Sequence, residues 1–270
     1  MLRSPLGVVG VCIVLGTLLC AVFAPAIAPY DPLKGDITNL YVKQPSGAHP
    51  FGTDDAGRDI LSRAIFGARI SLKIALLSES SGLALGVFIG LITGYFGGWL
   101  DTILMRIVDI FMAFPLLIIA IALAAALGTG DDKLIVALTL TIWPAVARLV
   151  RSQVLSVRET EYVSAARLIG ANSIRIMRRH ILPNILTPLI VFTTLGVANV
   201  ILQEAALSFL GLGSADRNSA SWGRMLNDSR QFLIAAPWMA FYPGLAILIA
   251  VFGFNLLGDA LRDALDIQSE

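Results

Sequence analysis

Two carboxylates lie where carboxylates are costly. Glu79 and Glu204 sit inside long apolar runs, and Gln203 stands beside the second. An ionised group at the middle of a bilayer costs several kcal/mol unless it faces a cavity or a partner. Such residues line a route for a polar solute, relay a proton, or close an interhelical hydrogen bond. The residues leave these readings open for Glu79, Gln203 and Glu204. Little else in the chain is suited to bond-making chemistry. His49 and His180 are far apart and form no ligand pattern. Cys12 and Cys20 are eight residues apart in one apolar run, about 12 Å along a helix, too far for a disulfide with each other. No Gly-Lys dipeptide occurs, so the lysine-bearing loop that cradles a nucleotide phosphate is missing. The expectation is a chain with no catalytic set, no cofactor and no metal of its own, and one that does not itself hydrolyse ATP.

The densest charge lies between residues 148 and 180. Arg148, Arg151, Arg158, Arg167, Arg175, Arg178 and Arg179 face only Glu159 and Glu161 in this stretch. Residues 159–169 have helix-forming composition, with acids in the first turn where the helix dipole favours them. Gly170 suits a left-handed position just past a helix end. Asn172 or Ser173 can cap a second, basic helix, which is expected to end before Pro183. A helix, a sharp glycine turn and another helix at the membrane surface suit the docking of a soluble partner. A basic face resting on anionic headgroups is the alternative. The segment is too short and too closely tethered to the bilayer for nucleic-acid binding.

The elements that hold these residues follow from composition. Hydrophobic residues make up 56% of the 270 residues and charged residues 14%. A soluble domain needs about 25% charged residues to wet its surface, so most of this surface faces lipid. Six segments approach the 20 or so apolar residues a membrane helix requires: Leu6–Ala28, Ile70–Tyr95, Leu100–Leu127, Leu134–Val150, Ile185–Leu212 and Ala235–Leu257. The first is too long for a signal-peptide core and reads as an uncleaved span. With the N-terminus inside, Lys and Arg count ten on each side, so density decides orientation. The arginine-rich 148–180 stretch and both termini are placed in the cytoplasm. Gly82, Gly86, Gly90 and Gly94 share one face of the second span and predict close helix packing. Pro115, near the middle of the third span, predicts a kink and a candidate hinge.

Several strings, in order, resemble one family. Ser164-Ala165-Ala166, then Gly170, then Ile181-Leu182-Pro183 resemble the EAA loop of permease subunits in ATP-binding-cassette (ABC) importers. The strings from His49 to Asp59, Gly94 to Gly98, Ala113 to Pro115, Arg179 to Asn184, Leu207 to Gly213, Ser221 to Gly223 and Phe254 to Ala264 resemble the dipeptide/oligopeptide/nickel permease family, in its second-permease (C-type) branch. Two positions depart from the EAA pattern. Ser164 stands where the pattern has Glu, with Glu161 three residues earlier as the acidic candidate, and His180 stands at its isoleucine position.

The resemblance implies an all-α integral membrane protein with six transmembrane helices and the type I ABC importer permease (MetI-like) fold. It implies a coupling loop at about 158–183 in which Glu161, Ser164, Ala165, Ala166, Gly170, Ile181, Leu182 and Pro183 meet an ATPase. The implied partners are a second homologous permease in a heterodimer, two cytoplasmic ATP-binding subunits and an extracytoplasmic substrate-binding protein, all in or at a prokaryotic inner membrane. The expected organisation is an N-terminal helix and outer-loop start at 1–50, then a transport domain at 51–270 with a five-helix core at about 69–258. Peptides are the expected cargo. Nickel or its chelates in the same family, and a proton-coupled secondary transporter, are the alternatives.

The topology is open to labelling. In a chain lacking Cys12 and Cys20, Ser173→Cys and Asn218→Cys should react from opposite sides of the membrane. Labelling of Ser173→Cys in intact cells by an impermeant thiol reagent would reverse the assigned orientation.

Overall fold

The computed structural model describes residues 5–35, 42–214, 216 and 219–266. Asn218, the outer labelling position, lies outside them. The described residues are helical, with one isolated bridge between Thr53 and Asp59. In chain order the helices are α1 (Pro5–Val22), α2 (Ala24–Ile27), α3 (Ile60–Phe96), α4 (Gly98–Met112), α5 (Leu116–Leu127), α6 (Asp131–Arg158), α7 (Glu161–Leu168), α8 (Ser173–Ile176), α9 (Leu186–Phe209), α10 (Trp222–Ser229) and α11 (Trp238–Asp266).

The frame is set where α3 and α6 touch. Gly82, Gly86, Gly90 and Gly94 are buried on α3. A methyl group built on each would lie 2.7, 2.5, 2.6 and 2.7 Å from the Cβ atoms of Ile142, Val146, Val150 and Val154 of α6. Only glycine permits this approach. In lipid, where apolar surface gains nothing by leaving water, such backbone-level packing drives association. The paired numbers rise together, so α3 and α6 are parallel. Parallel neighbours need a connection that returns to the starting side. Residues 97–130 make that return as α4 and α5, which meet at 93° across the Ala113-Phe114-Pro115 break.

The third span is therefore two helices rather than one kinked helix. Pro115 has no N–H to continue α4, and it opens α5 instead. Five helices are long and apolar enough to cross a membrane, and the bent pair makes the sixth span.

α9 packs antiparallel to this pair, α11 runs parallel to it, and α1 lies antiparallel to α11. Gly196 of α9 abuts the Glu79 carboxyl of α3. On α11, a methyl at Gly258 would reach 2.5 Å from Leu195 Cδ2 of α9. Gly10 of α1 lies against the backbone of Leu257, and Gly253 against Ile13. α1 thus lies on α11 and α3, at the edge of the bundle.

Helix ends extend beyond the apolar runs. α3 begins at Ile60, ten residues before its apolar run at Ile70, because Asp59 caps it. The Asp59 carboxylate accepts from the Ser62 backbone N–H and hydroxyl, each at 2.7 Å. α6 has 28 residues around an apolar run of 17. α8 does not stop before Pro183 either. It continues through a π-helical turn (Met177–Ile181) and a 3₁₀ turn (Leu182–Ile185) into α9. Proline supplies no N–H for the regular ladder, and Asn184 Nδ2 donates to the His180 carbonyl at 2.6 Å instead.

The α3–α6 seam should fail sharply on enlargement. Gly90→Leu forces side-chain carbon into the α6 backbone and should cost about 1–3 kcal/mol or more as overpacking, with Gly90→Ala milder. Thermal unfolding of the purified protein in detergent measures this. An unchanged midpoint in Gly90→Leu would contradict the packing.

Candidate functional site

α6 carries the chain out of the bundle into α7, and two contacts fix the exit. Arg158, the last residue of α6, donates from Nη1 to the carbonyls of Gly94 (3.0 Å) and Tyr95 (3.3 Å) at the end of α3. Its Nε donates to Glu159 at 3.1 Å. The Arg167 guanidinium lies 5.5 Å from the centre of the Tyr95 ring. Tyr95, Phe96, Arg158, Glu159, Arg167 and Ser173 enclose a polar recess between the loop and α3.

The turn after α7 is built as its glycine requires. Gly170 has φ +83°. Its N–H donates to the Arg167 carbonyl and the Ala171 N–H to the Ala166 carbonyl, both at 3.0 Å. This is the Schellman arrangement, which satisfies the last carbonyls of α7. Asn172 then caps α8, its side chain accepting from the Arg175 N–H at 2.8 Å. The two short helices are held at a defined angle, and at their turn they expose Leu168 (88%), Ile169 (85%) and Ile174 (71%). Large apolar residues this bare mark an interaction surface or a liability.

The expected coupling residues separate into two sets. Glu161, Ser164, Ala165, Gly170 and Pro183 are exposed. Ala166 and Ile181 are buried with Val163 and Ile176 in the core that supports the loop, and Leu182 is half-buried. Ala165 therefore belongs to the outer surface and Ala166 to its support. The sequence strings drew attention to neither Leu168 and Ile169 nor Ile174. The signal was a bare apolar residue at the end of a polar helix.

On the opposite side of the bundle, termed the far side, a second polar assembly surrounds Glu204. This carboxyl is fully buried and accepts from the Ser208 hydroxyl at 2.8 Å. Its other oxygen, Oε2, is buried without a hydrogen bond. Nearby, Ser71 Oγ accepts from the Trp222 backbone N–H and Ser221 Oγ from that of Arg224, each at 3.3 Å. Glu204 thus lies where α9 packs on α3 and α10, bonded to its own helix. Gln203 is half-buried beside it, and its Oε1 is buried without a hydrogen bond. Glu79 lies deeper, 2% exposed, with Oε1 likewise unbonded. The two carboxyls are not brought together.

Arg63 is the hub of the far side, and the sequence reading passed over it. It is 1% exposed at the start of α3. Its guanidinium donates to the carbonyls of Pro32 (3.3 Å) and Ser219 (3.2 Å), and faces Asp54 at 3.4 Å and Asp228 at 3.8 Å. Asp54 is itself held by Arg58 Nε at 2.7 Å. Burial raises the pKa of Asp228 above the ordinary carboxylate value, with Arg224 and Arg63 opposing the rise. At the next residue of α3, Trp222 Nε1 donates to the Ala64 carbonyl at 2.9 Å, and one turn along Gly67 lies under the indole.

Two further acids in the third span also escaped the reading. Asp101 pairs bidentately with Arg151 at 2.5 and 2.7 Å, and Asp109 pairs with Arg148. Two of the seven clustered arginines therefore bind α4 to α6.

These features describe a multi-pass helical membrane protein with a bare apolar knuckle between two spans and no metal-binding group among the described residues. Known proteins give it a family. Residues 86–267 match the model for the binding-protein-dependent transport system inner membrane component, and residues 1–45 match that for the N-terminal transmembrane domain of oligopeptide transport permease C. The chain is 45% identical to a dipeptide transport system permease protein of Alkalihalophilus pseudofirmus, over 98% of this chain and 86% of that one. It is 42% identical to a glutathione transport system permease protein of Pectobacterium atrosepticum, over 98% and 88%. An inward-facing structure of the MetNI methionine ABC transporter shares its fold, with TM-score 0.63 and 22% identity over 76% of this chain and 97% of that one.

The chain belongs to the binding-protein-dependent transport family and is a permease subunit of an ABC importer with the MetI-like fold.

The Glu204 junction makes a stability prediction. Glu204→Gln keeps an acceptor for Ser208 and should stay within about 1 kcal/mol of wild type. Glu204→Leu leaves the buried Ser208 hydroxyl without its acceptor and should cost about 1–3 kcal/mol. Unfolding in detergent distinguishes the two, and a Glu204→Leu protein as stable as wild type would show that the junction contributes nothing.

Proposed function

We propose that this chain is the C-type permease of a peptide importer. It pairs with a second, homologous permease to enclose the route and takes cargo from an extracytoplasmic binding protein. ATP hydrolysis occurs on two subunits seated at the α7–Gly170–α8 knuckle. Peptide cargo is supported by the dipeptide and glutathione permeases among its relatives. The knuckle and both termini lie in the cytoplasm of a cell whose inner membrane the chain spans. Residues 1–50 form an added N-terminal unit and 51–270 the transport domain.

One observation carries the docking role. Leu168, Ile169 and Ile174 project into solvent from helices whose angle is fixed by Gly170 and Asn172, over buried Ala166 and Ile181. Burying such side chains in a partner's groove gains about 1.5–3 kcal/mol each. Glu161, Ser164 and Ala165 border the contact, with Glu161 as the acidic group in place of the glutamate missing at Ser164. Pro183 and Leu182 carry the support on into α9. In this reading Glu204 is a structural group at the α9 junction, Glu79 and Gln203 are the candidates for contact with the route, and the break at Pro115 is a hinge of the third span.

The test is a reconstituted complex. Gly170→Leu places a Cβ in a left-handed conformation, a strain of about 1 kcal/mol or more. It should leave the permeases paired while ATPase capture falls or uncouples from the loaded binding protein. Ala165→Asp should act at the contact, since a carboxylate there must lose water. Ala166→Asp should act by unpacking the knuckle. Exposed changes in the 42–50 segment should leave ATPase docking intact. Wild-type ATPase pull-down and stimulation in Gly170→Leu and Ala165→Asp would reduce the knuckle to a membrane-surface segment.

A further inference from the structure

Each end of α3 is clamped by a buried or half-buried arginine, Arg63 at one and Arg158 at the other, to a different functional face. We infer that Arg63 and Arg158 are positioning residues that make α3 a strut, so that the far-side platform and the α7–α8 knuckle move as one body during transport. The inference rests on the permease reading above, which supplies the two faces with partners.

The geometry at the far end is a four-way junction. Through Arg63 the start of α3 holds the Pro32 segment, the Asp54 turn, the Ser219 segment and Asp228 of α10. Trp222 adds two more ties, from its indole to the Ala64 carbonyl and from its backbone N–H to Ser71 Oγ. At the loop end, Arg158 closes the Gly94 and Tyr95 carbonyls, groups that the last turn of any helix leaves without partners. The same arginine is the last residue of α6, one residue before the chain turns towards α7. Arg167, within α7, covers Tyr95. The knuckle is thus fastened to the end of α3 from both its root and its body.

Between the clamps α3 is unbroken. It contains no proline, and 32 residues separate Arg63 from Tyr95, about 48 Å of helix. A lone helix of that length would bend. Here α6 is laid along it through the four glycine contacts, and Ser78 and Thr139 exchange bonds with backbone carbonyls across the pair at 3.5 Å. The third span, by contrast, is interrupted by its 93° bend. A push at the knuckle is therefore carried along α3 and α6 to the platform.

The experiment uses the whole transporter, with both permeases, the ATPase subunits and lipid. Spin labels are placed at Gln44→Cys in the outer loop and Ser164→Cys on α7, in a chain without Cys12 and Cys20. Their separation is measured without nucleotide and after trapping with ATP and vanadate. A strut predicts one narrow distribution common to both states in the wild-type background. Arg158→Met should broaden or split it, and should lower cargo taken up per ATP hydrolysed by roughly tenfold, the scale set by losing a hydrogen bond from a charged donor. Arg158→Lys, whose ammonium can still donate to both carbonyls, should restore most of each. Arg63→Met should uncouple in the same way with the knuckle still binding ATPase.

A separation that changes between the two states in wild type would overturn the strut. So would full coupling in Arg158→Met. Neither result would touch the permease reading, which fails only if wild-type chain captures no ATPase.

Discussion

Two helices in a lipid environment approach as closely as their smallest facing side chains permit, and that limit governs this protein. α3 presents hydrogen atoms where other helices present side chains, so the Ile142, Val146, Val150 and Val154 side chains of α6 sit almost on its backbone. Everything else is arranged around the resulting pair. Because the pair is parallel, the chain between must recross the bundle, and it does so through a broken span. Because α6 is held to its full length, the direction in which it leaves the bundle is set, and with it the place of the knuckle. The polar groups complete what the glycines begin. Arg151 with Asp101 and Arg148 with Asp109 attach α4 to α6, while Trp222 ties the start of α10 to α3 through Ala64 and Ser71.

The legible parts of the fold were those written locally. Four glycines at spacing four announce a packing face whatever packs there. A glycine followed by Asn172, between two helix-forming runs, announces the turn and the cap. Both depend on residues within a few positions of one another. The Arg63 hub could not be read this way. Its partners stand at 32, 54, 219 and 228, and nothing short of the folded chain places them on one guanidinium. An arginine next to a capped helix start looks like an ordinary charged helix end.

The kink expected at Pro115 becomes a full break, whereas the stop expected before Pro183 does not occur. Both were read through the missing N–H. At Pro115 the loss came with an Ala113-Phe114 segment that no side chain bridges, and the helix broke completely. At Pro183 the neighbouring backbone took up a π turn and then a 3₁₀ turn, and Asn184 supplied a donor in compensation, so the helix passed through. The same residue ends one helix and is absorbed by another, and the difference lies in which donors stand nearby. The Asp101 and Asp109 pairs were overlooked because an amphipathic helix beside a broken span reads, by composition alone, as the start of a single apolar one.

α1 has a consequence for how the protein is made. The close contacts it makes through Gly10 and Ile13 are with Gly253, Leu256 and Leu257, near the other end of the chain. α1 is synthesised well before α11, the helix that receives it. At about 5–20 residues per second, roughly ten to fifty seconds pass between the insertion of α1 and the emergence of the helix that receives it. During that interval α1 has only α3 to rest against, and its bare glycine face is open to any passing helix. Assembly of this permease is therefore timed by its own length. A pause in translation ahead of α11 would prolong the exposure of α1.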